Sequence, residues 1–204
     1  MAGMKTTQIF SLAVLGALAL TRSLAADPQP IFNGKDLSGW EVPEGNDEKG
    51  WYSVSGGELK LQSGPEKKGS IIWTEESFGD FEMTLDFKFG EGTVDTGVHI
   101  KNDKEQIQIG ISGSLKRDMT GSPYIAGKGY PVEAEGVKEL LKLDDWNSMK
   151  IRVTGKLYEV WLNGKQVLSY ESESAIEEGP LGLQLHGNKD MAVDFRDLKV
   201  VKLN

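Results

Sequence analysis

The chain has 204 residues, with 23 Lys and Arg against 31 Asp and Glu and a formal charge of −8. The charges are interspersed and form no Lys/Arg cluster, which excludes a surface that follows a phosphate backbone, so nucleic acid is not an expected partner. There is no cysteine, which excludes a disulfide scaffold and a lipid anchor on cysteine.

At the N-terminus Lys5 precedes an apolar stretch from Ile9 to Leu20, followed by Ser23-Leu24-Ala25-Ala26. A basic start, a short apolar centre and small residues before a polar stretch mark a secretory signal peptide. The centre is too short for a membrane span of about 20 residues. The expected organisation is a leader over residues 1–26 and a single domain over 27–204, exported to the periplasm or the extracellular space. No stable membrane insertion is expected after cleavage.

Short β-rich runs then recur between turn signals. Strands are predicted at Trp51–Val54, Glu58–Leu61, Ser70–Trp73, Phe81–Phe89, Thr96–Lys101 and Gln106–Ile111. A helix is predicted at Ala134–Leu143, where Val137, Leu140 and Leu141 recur at helical spacing. Further strands follow at Ser148–Val153, Leu157–Leu162, Val167–Tyr170, Gly182–His186 and Ala192–Leu203. Ser55-Gly56-Gly57 and Asn163-Gly164 have the composition of hairpin turns, and Gly155-Lys156 separates two more strands. Many short strands at this spacing predict an all-β fold, a two-sheet antiparallel sandwich or jelly roll with at most one short helix.

Phe81 to Phe89 alternates over nine residues, so its odd positions face the core and Glu82, Thr84, Asp86 and Lys88 face outward. These three charges read as a solvated face with charge pairs. Tyr158–Leu162 alternates similarly, with Trp161 on the more polar side. Ser112–Gly136 lacks a period and holds Arg117, Tyr124 and Tyr130, as a binding loop or an edge-wrapping segment would.

Three strands carry long polar side chains on one face. His99 and Lys101 alternate with Val98 and Ile100, Gln106 and Gln108 with Ile107 and Ile109, and Gln184 and His186 with Leu183 and Leu185. A neutral imidazole is a natural general base, and an ammonium beside it stabilises a developing oxyanion, so His99, Lys101 and His186 are the candidate catalytic residues. Glutamine amides both donate and accept, which suits sugar hydroxyls. Gln106, Gln108, Gln184, Trp161 and Arg117 are the candidate substrate-binding residues, and carbohydrate is the expected partner. The plain alternatives are half-buried histidines satisfied by carbonyls and an ordinary polar outer face. Most of the five tryptophans, Trp40, Trp51, Trp73, Trp146 and Trp161, are expected in the core.

Other chemistries find little support. Two histidines without a His-Glu-x-x-His motif make no zinc site. Asn102-Asp103 and Asp144-Asp145 fit no calcium loop, so no metal and no cofactor is predicted, with a divalent ion such as calcium left as the alternative. Gly69-Ser70 and Gly113-Ser114 are not nucleophile elbows.

Several phrases together carry a resemblance. Ile31-Phe32-Asn33-Gly34-Lys35-Asp36-Leu37-Ser38-Gly39-Trp40, Gly79-Asp80-Phe81-Glu82, Thr96 to Lys101, Gln106 to Gly110 and Gly113-Ser114-Leu115 come first. Asp145-Trp146-Asn147, Val160 to Gly164, Gly179 to Gly187 and Phe195 to Leu198 follow in order. The set resembles the 3-keto-disaccharide hydrolase domain, a bacterial exported family formerly of unknown function. The resemblance implies a concanavalin A-like lectin/glucanase fold and cleavage of glycosides already oxidised to a ketone at carbon 3. Such a ketone acidifies the hydrogen at carbon 2. A base removes it, the leaving group departs from carbon 1 through an enolate, and water adds afterwards. His99 or His186 is then the base, and Lys101 the enolate stabiliser. One departure stands out: family members often carry an acidic residue where this chain has Gln106-Ile107-Gln108, with a tyrosine before it, where Glu105 stands here. The alternative function is therefore a non-catalytic carbohydrate-binding or surface-interaction module on the same fold.

Overall fold

The computed structural model describes residues 27–46 and 51–203, and the predicted leader over residues 1–26 lies outside them. Among the described residues, fourteen strands and one helical turn have defined bounds, in this order. They are β1 (Gln29–Pro30), β2 (Trp40–Glu41), β3 (Tyr52–Ser55), β4 (Glu58–Gln62), β5 (Ser70–Phe78), β6 (Phe81–Gly92), β7 (Asp95–Ile100) and β8 (Glu105–Gly110). The rest are β9 (Pro123–Ile125), α1 (Val137–Leu140), β10 (Asn147–Thr154), β11 (Leu157–Leu162), β12 (Lys165–Glu171), β13 (Gly179–Leu185) and β14 (Met191–Lys202).

Two antiparallel sheets form the sandwich. The eight-stranded sheet runs β12-β11-β10-β6-β14-β4-β3, with β1 beside β14. The six-stranded sheet runs β2-β5-β13-β7-β8-β9. The alternation along β6 buries Phe81, Met83, Leu85 and Phe87, and they share one core with Val98, Ile100, Ile107, Ile109, Leu181, Leu183 and Leu185 of the other sheet. At the predicted hairpin between β11 and β12, Asn163 and Gly164 have φ of 48° and 84°, the paired positive values of a two-residue turn that matches strand twist.

The outer face of the eight-stranded sheet is the paired charge surface expected for Glu82 and Asp86. Glu82 meets Arg152 at 2.8 Å and Lys150 at 3.5 Å, and Asp86 meets Arg196 at 3.4 Å. The predicted helix shrinks to one turn. Gly136 precedes it in the left-handed region without a side-chain cap, and no residue of α1 is fully buried, so nothing propagates it. Strands β1, β2 and β9 escape the sequence pattern because two or three residues carry no period. Strand β5 runs past Trp73 because Thr74 and Trp73 go on to pair with Trp40 and Glu41 of β2.

Candidate functional site

The outward positions of the six-stranded sheet carry the polar residues that alternation places there. Asp95, Gly97 and His99 come from β7, Gln106 and Gln108 from β8, and Gln184 from β13, with His186 just beyond it. Register lines them up across the sheet. His99 stands opposite Gln106 on one side and Gly182 on the other, and Gly97 stands opposite Gln108. Gln106 neighbours Tyr124 of β9.

A chain of side-chain hydrogen bonds crosses this face. Gln106 Nε2 donates to Gln108 Oε1 at 3.0 Å, and Gln108 Nε2 donates to Asp95 Oδ1 at 2.9 Å. Asp95 is 2% exposed, and its other oxygen, Oδ2, has no hydrogen-bond partner in the protein. Two basic groups stand near it instead, His186 Nε2 at 3.7 Å and Lys189 Nζ at 3.6 Å. These separations are too long for hydrogen bonds; the Lys189 ammonium makes a charge contact with the carboxylate, and His186 does so when its imidazole is protonated. His186 Nδ1 lies 2.7 Å from the Gly187 carbonyl. A carbonyl only accepts, so Nδ1 carries the proton and Nε2 is left on the Asp95 side.

These groups line a hollow of about 540 Å³, with Asp95, Gln106, Gln108, Gln184, His186 and Lys189 on its walls. Tyr124 and Tyr130 close another side, edge to face at 5.3 Å. Burial pushes the Tyr130 phenol up, helped by the charges of Asp95 and Asp118 and opposed by the Ser112 hydroxyl. Gln106 Oε1 and Gln184 Oε1 are buried without a protein partner, as is Asp95 Oδ2. Buried polar atoms are nearly always satisfied, so three unpartnered acceptors on one sheet face fit a ligand that brings several donors. A sugar brings hydroxyls.

His99 belongs to the same face but to a different environment. It is 4% exposed, its ring is tilted 56° against Trp73 at 5.5 Å, and neither ring nitrogen has a hydrogen-bond partner. Burial pushes the imidazole down to about 4, outweighing the nearby backbone of Asn102 and Glu105 and the charge of Asp103. It is neutral at physiological pH and a weak base.

Three sequence-based expectations are corrected by placement. Lys101 does not share the face of His99. Its φ of 63° ends the alternation, and the buried side chain turns to donate to the Glu177 and Ile176 carbonyls at 3.0 and 3.3 Å. Trp161 lies on the outer face of the opposite sheet, with Lys150 Nζ 3.9 Å above its ring. Arg117 is exposed and is not among the residues lining the hollow; it is paired with Glu133 through Nη1 at 2.6 Å and a second contact through Nη2. His99, Gln106, Gln108, Gln184 and His186 do come together. The pattern missed Asp95 and Lys189, and it placed Tyr124 and Tyr130 in a binding or edge-wrapping segment without assigning them to the site. Asp95 was within reach, since it precedes His99 by four residues and shares its parity, but the predicted strand began one residue late. Glu105, noted as standing in a tyrosine's place, faces inward, where Tyr158 donates to it at 2.6 Å and Ser172 at 2.9 Å.

Among the described residues no group of three or more His, Asp or Glu side chains is placed to hold a metal ion. A divalent ion in the hollow would meet Asp95, His186 and amide oxygens. Among the described residues no helix is long and apolar enough to cross a membrane.

Fold and site together define a concanavalin A-like β-sandwich domain with a polar hollow, lined by unpartnered buried acceptors, on its six-stranded sheet. The chain belongs to the 3-keto-alpha-glucoside-1,2-lyase-like domain family, whose profile matches residues 27–201. It is similar in structure to a protein from Parabacteroides distasonis named as a candidate glycosyl hydrolase, with 24% identity, 87% of this chain and 100% of the other covered, and a TM-score of 0.64. A second such protein from the same organism gives 21% identity, 85% and 93% coverage and 0.63. The carbohydrate binding module CBM66 from Bacillus subtilis gives 15% identity, 81% and 97% coverage and 0.59. No curated protein matches the chain.

Proposed function

We propose that this chain is an exported enzyme that cleaves the glycosidic bond of 3-keto-glycosides by elimination. His186 is the base. Its Nε2, left available by the Nδ1 contact to Gly187, takes the proton from carbon 2. The C–H electron pair becomes an enolate with the carbon 3 oxygen. The enolate collapses to re-form the ketone and a carbon 1–carbon 2 double bond, and the oxygen at carbon 1 leaves with its electron pair and takes up a proton. Addition of water to the double bond completes hydrolysis.

Asp95 balances the imidazolium that forms, and Lys189 takes the enolate-stabilising role first given to Lys101. Gln106, Gln108 and Gln184 hold hydroxyls. The observation that carries this reading is the Asp95–His186–Lys189 cluster set among unpartnered buried acceptors. Membership of the family supports it. Among the described residues the lining of this hollow holds one carboxylate, Asp95, whereas ordinary glycoside hydrolysis uses a pair flanking the bond.

One observation favours a second reading, a binding module without turnover. The face carries a glutamine chain, Gln106 to Gln108, in the strand where the resemblance leads one to expect an acidic residue, and the fold is shared with a carbohydrate binding module. The test is incubation with a 3-keto-disaccharide, with and without EDTA, following release of both sugars. Release lost in His186→Ala and kept in His99→Ala supports the enzyme and its base. Binding by calorimetry without any release supports the module.

A further inference from the structure

The oxygen that departs from carbon 1 needs a proton, and no residue assigned so far supplies it. His186 receives a proton, and Asp95 and Lys189 stand beside it as anion and cation. The donor has to reach the same sugar ring, so it belongs to the walls of the same hollow. The other titratable groups there are Lys116, which is exposed, and Tyr124 and Tyr130, which are half-buried. The two tyrosines form the wall opposite His186. His186 follows β13, Tyr124 lies in β9, and β7 and β8 run between them. Three strand steps of about 4.8 Å set these walls about 14 Å apart at the backbone, with side chains reaching in from both.

Tyr130 is set apart from Tyr124 by a row of hydroxyls. It follows the turn after β9, where Gly129 donates to the Ile125 carbonyl at 2.8 Å. Its ring packs edge to face on Tyr124, and its hydroxyl is turned to Ser112. Ser112 is buried, and its Oγ accepts from the Leu115 backbone N–H at 3.2 Å. Ser114, which is exposed, has its Oγ 3.1 Å from Ser112 Oγ. A serine hydroxyl has two acceptor sites and one proton. With Leu115 and Ser114 donating to Ser112, the Ser112 proton goes to the Tyr130 oxygen, and the Tyr130 proton is free to point into the hollow.

We propose that Tyr130 is the general acid of the reaction, and that Ser112 and Ser114 return its proton from solvent. The inference rests on the proposed elimination. As the carbon 1–oxygen bond breaks, its electron pair stays on the oxygen and takes the Tyr130 proton, leaving a phenolate. The Ser112 proton passes to the phenolate, the Ser114 proton to Ser112, and a proton from water to Ser114. His186 gives the carbon 2 proton back to water, so every residue ends as it began. Burial, with the charges of Asp95 and Asp118, holds the phenol above its ordinary value. Tyr130 therefore keeps its proton at neutral pH, and its acidity comes nearer to that of the sugar hydroxyl it forms.

The experiment compares kcat/KM for methyl and nitrophenyl 3-keto-glucosides in the wild type, Tyr130→Phe, Ser112→Ala and Tyr124→Phe. A nitrophenolate departs without a proton, and a methoxide does not. Tyr130→Phe keeps the ring on Tyr124 and removes only the hydroxyl. It is expected to lower the methyl substrate about a hundredfold and the nitrophenyl substrate less than about tenfold, so the ratio of methyl to nitrophenyl falls by about tenfold or more. Ser112→Ala is expected to move the ratio in the same direction by less, and Tyr124→Phe to leave the ratio at its wild-type value. Equal losses on both substrates in Tyr130→Phe, no loss on either, or a ratio moved by Tyr124→Phe instead overturns the assignment while the elimination stands. A wild type that turns over neither substrate overturns the elimination, and the acid with it.

Discussion

Gln108 donates to one oxygen of Asp95 at 2.9 Å, and this bond leaves the other oxygen toward His186 and Lys189. A glutamine thus orients the carboxylate that the base depends on. Replacing Asp95 by Asn keeps the shape and removes the charge that balances the imidazolium. Activity on a 3-keto-glycoside should fall by about tenfold to a hundredfold, and by about 10²- to 10⁴-fold in His186→Ala. Thermal unfolding of Asp95→Asn should show a moderate loss, because the desolvation cost of the buried carboxylate disappears while the largely buried Lys189 ammonium loses its counter-charge.

Lys101 and Lys189 should separate cleanly. Lys101→Met removes a buried ammonium and its bonds to the Glu177 and Ile176 carbonyls, so it should alter stability by about 1 kcal/mol and leave kcat/KM within severalfold. Lys189→Met should lower kcat with little change in unfolding. Steady-state kinetics and urea unfolding on the same two variants check both halves.

His99 should make stability pH-dependent. Its folded value, about 4, lies below the ordinary histidine value of 6.5, so the unfolded chain binds the proton more readily. The contribution is fully present above about pH 6.5 and is lost as pH falls toward 4, by on the order of 3 kcal/mol. Urea midpoints measured from pH 7.5 to 4 should slope less in His99→Leu than in the wild type. An identical slope in both proteins would show that the histidine is not desolvated.

Gly97 lets the Gln106 side chain lie across β7. A Cβ there would stand 2.7 Å from the Ile107 carbonyl oxygen and 3.0 Å from the Gln106 amide carbon. Gly97→Ala should cost about 1–3 kcal/mol of stability and break the Gln106–Gln108 bond, weakening sugar binding in calorimetry. Trp161→Ala, on the opposite sheet, should leave sugar binding unchanged.

Glu105 braces the two sheets through Tyr158 of β11 and Ser172. Glu105→Ala strands a buried tyrosine hydroxyl, whose phenol is already pushed up by burial and by the carboxylate, and should cost about 2–4 kcal/mol. Glu105→Gln keeps an acceptor for that hydroxyl and should cost less. Chemical denaturation of the two variants gives the comparison.

The sequence by itself determined the sandwich and the polar face. Period-two alternation is a local property, so Phe81 to Phe87, Val98 and Ile100, and Gln106 and Gln108 announce their faces without any knowledge of neighbours. The motifs spread from Ile31 to Leu198 likewise pointed to the family that the matched residues show. Only the tertiary structure decided which polar residues meet. Lys101 left the face because one left-handed residue breaks the alternation, and Trp161 left it because parity says inward or outward but not which sheet. Lys189 lies in the loop before β14 and reaches Asp95 of β7 only because β13 pairs with β7, a contact across more than ninety positions that no local period encodes.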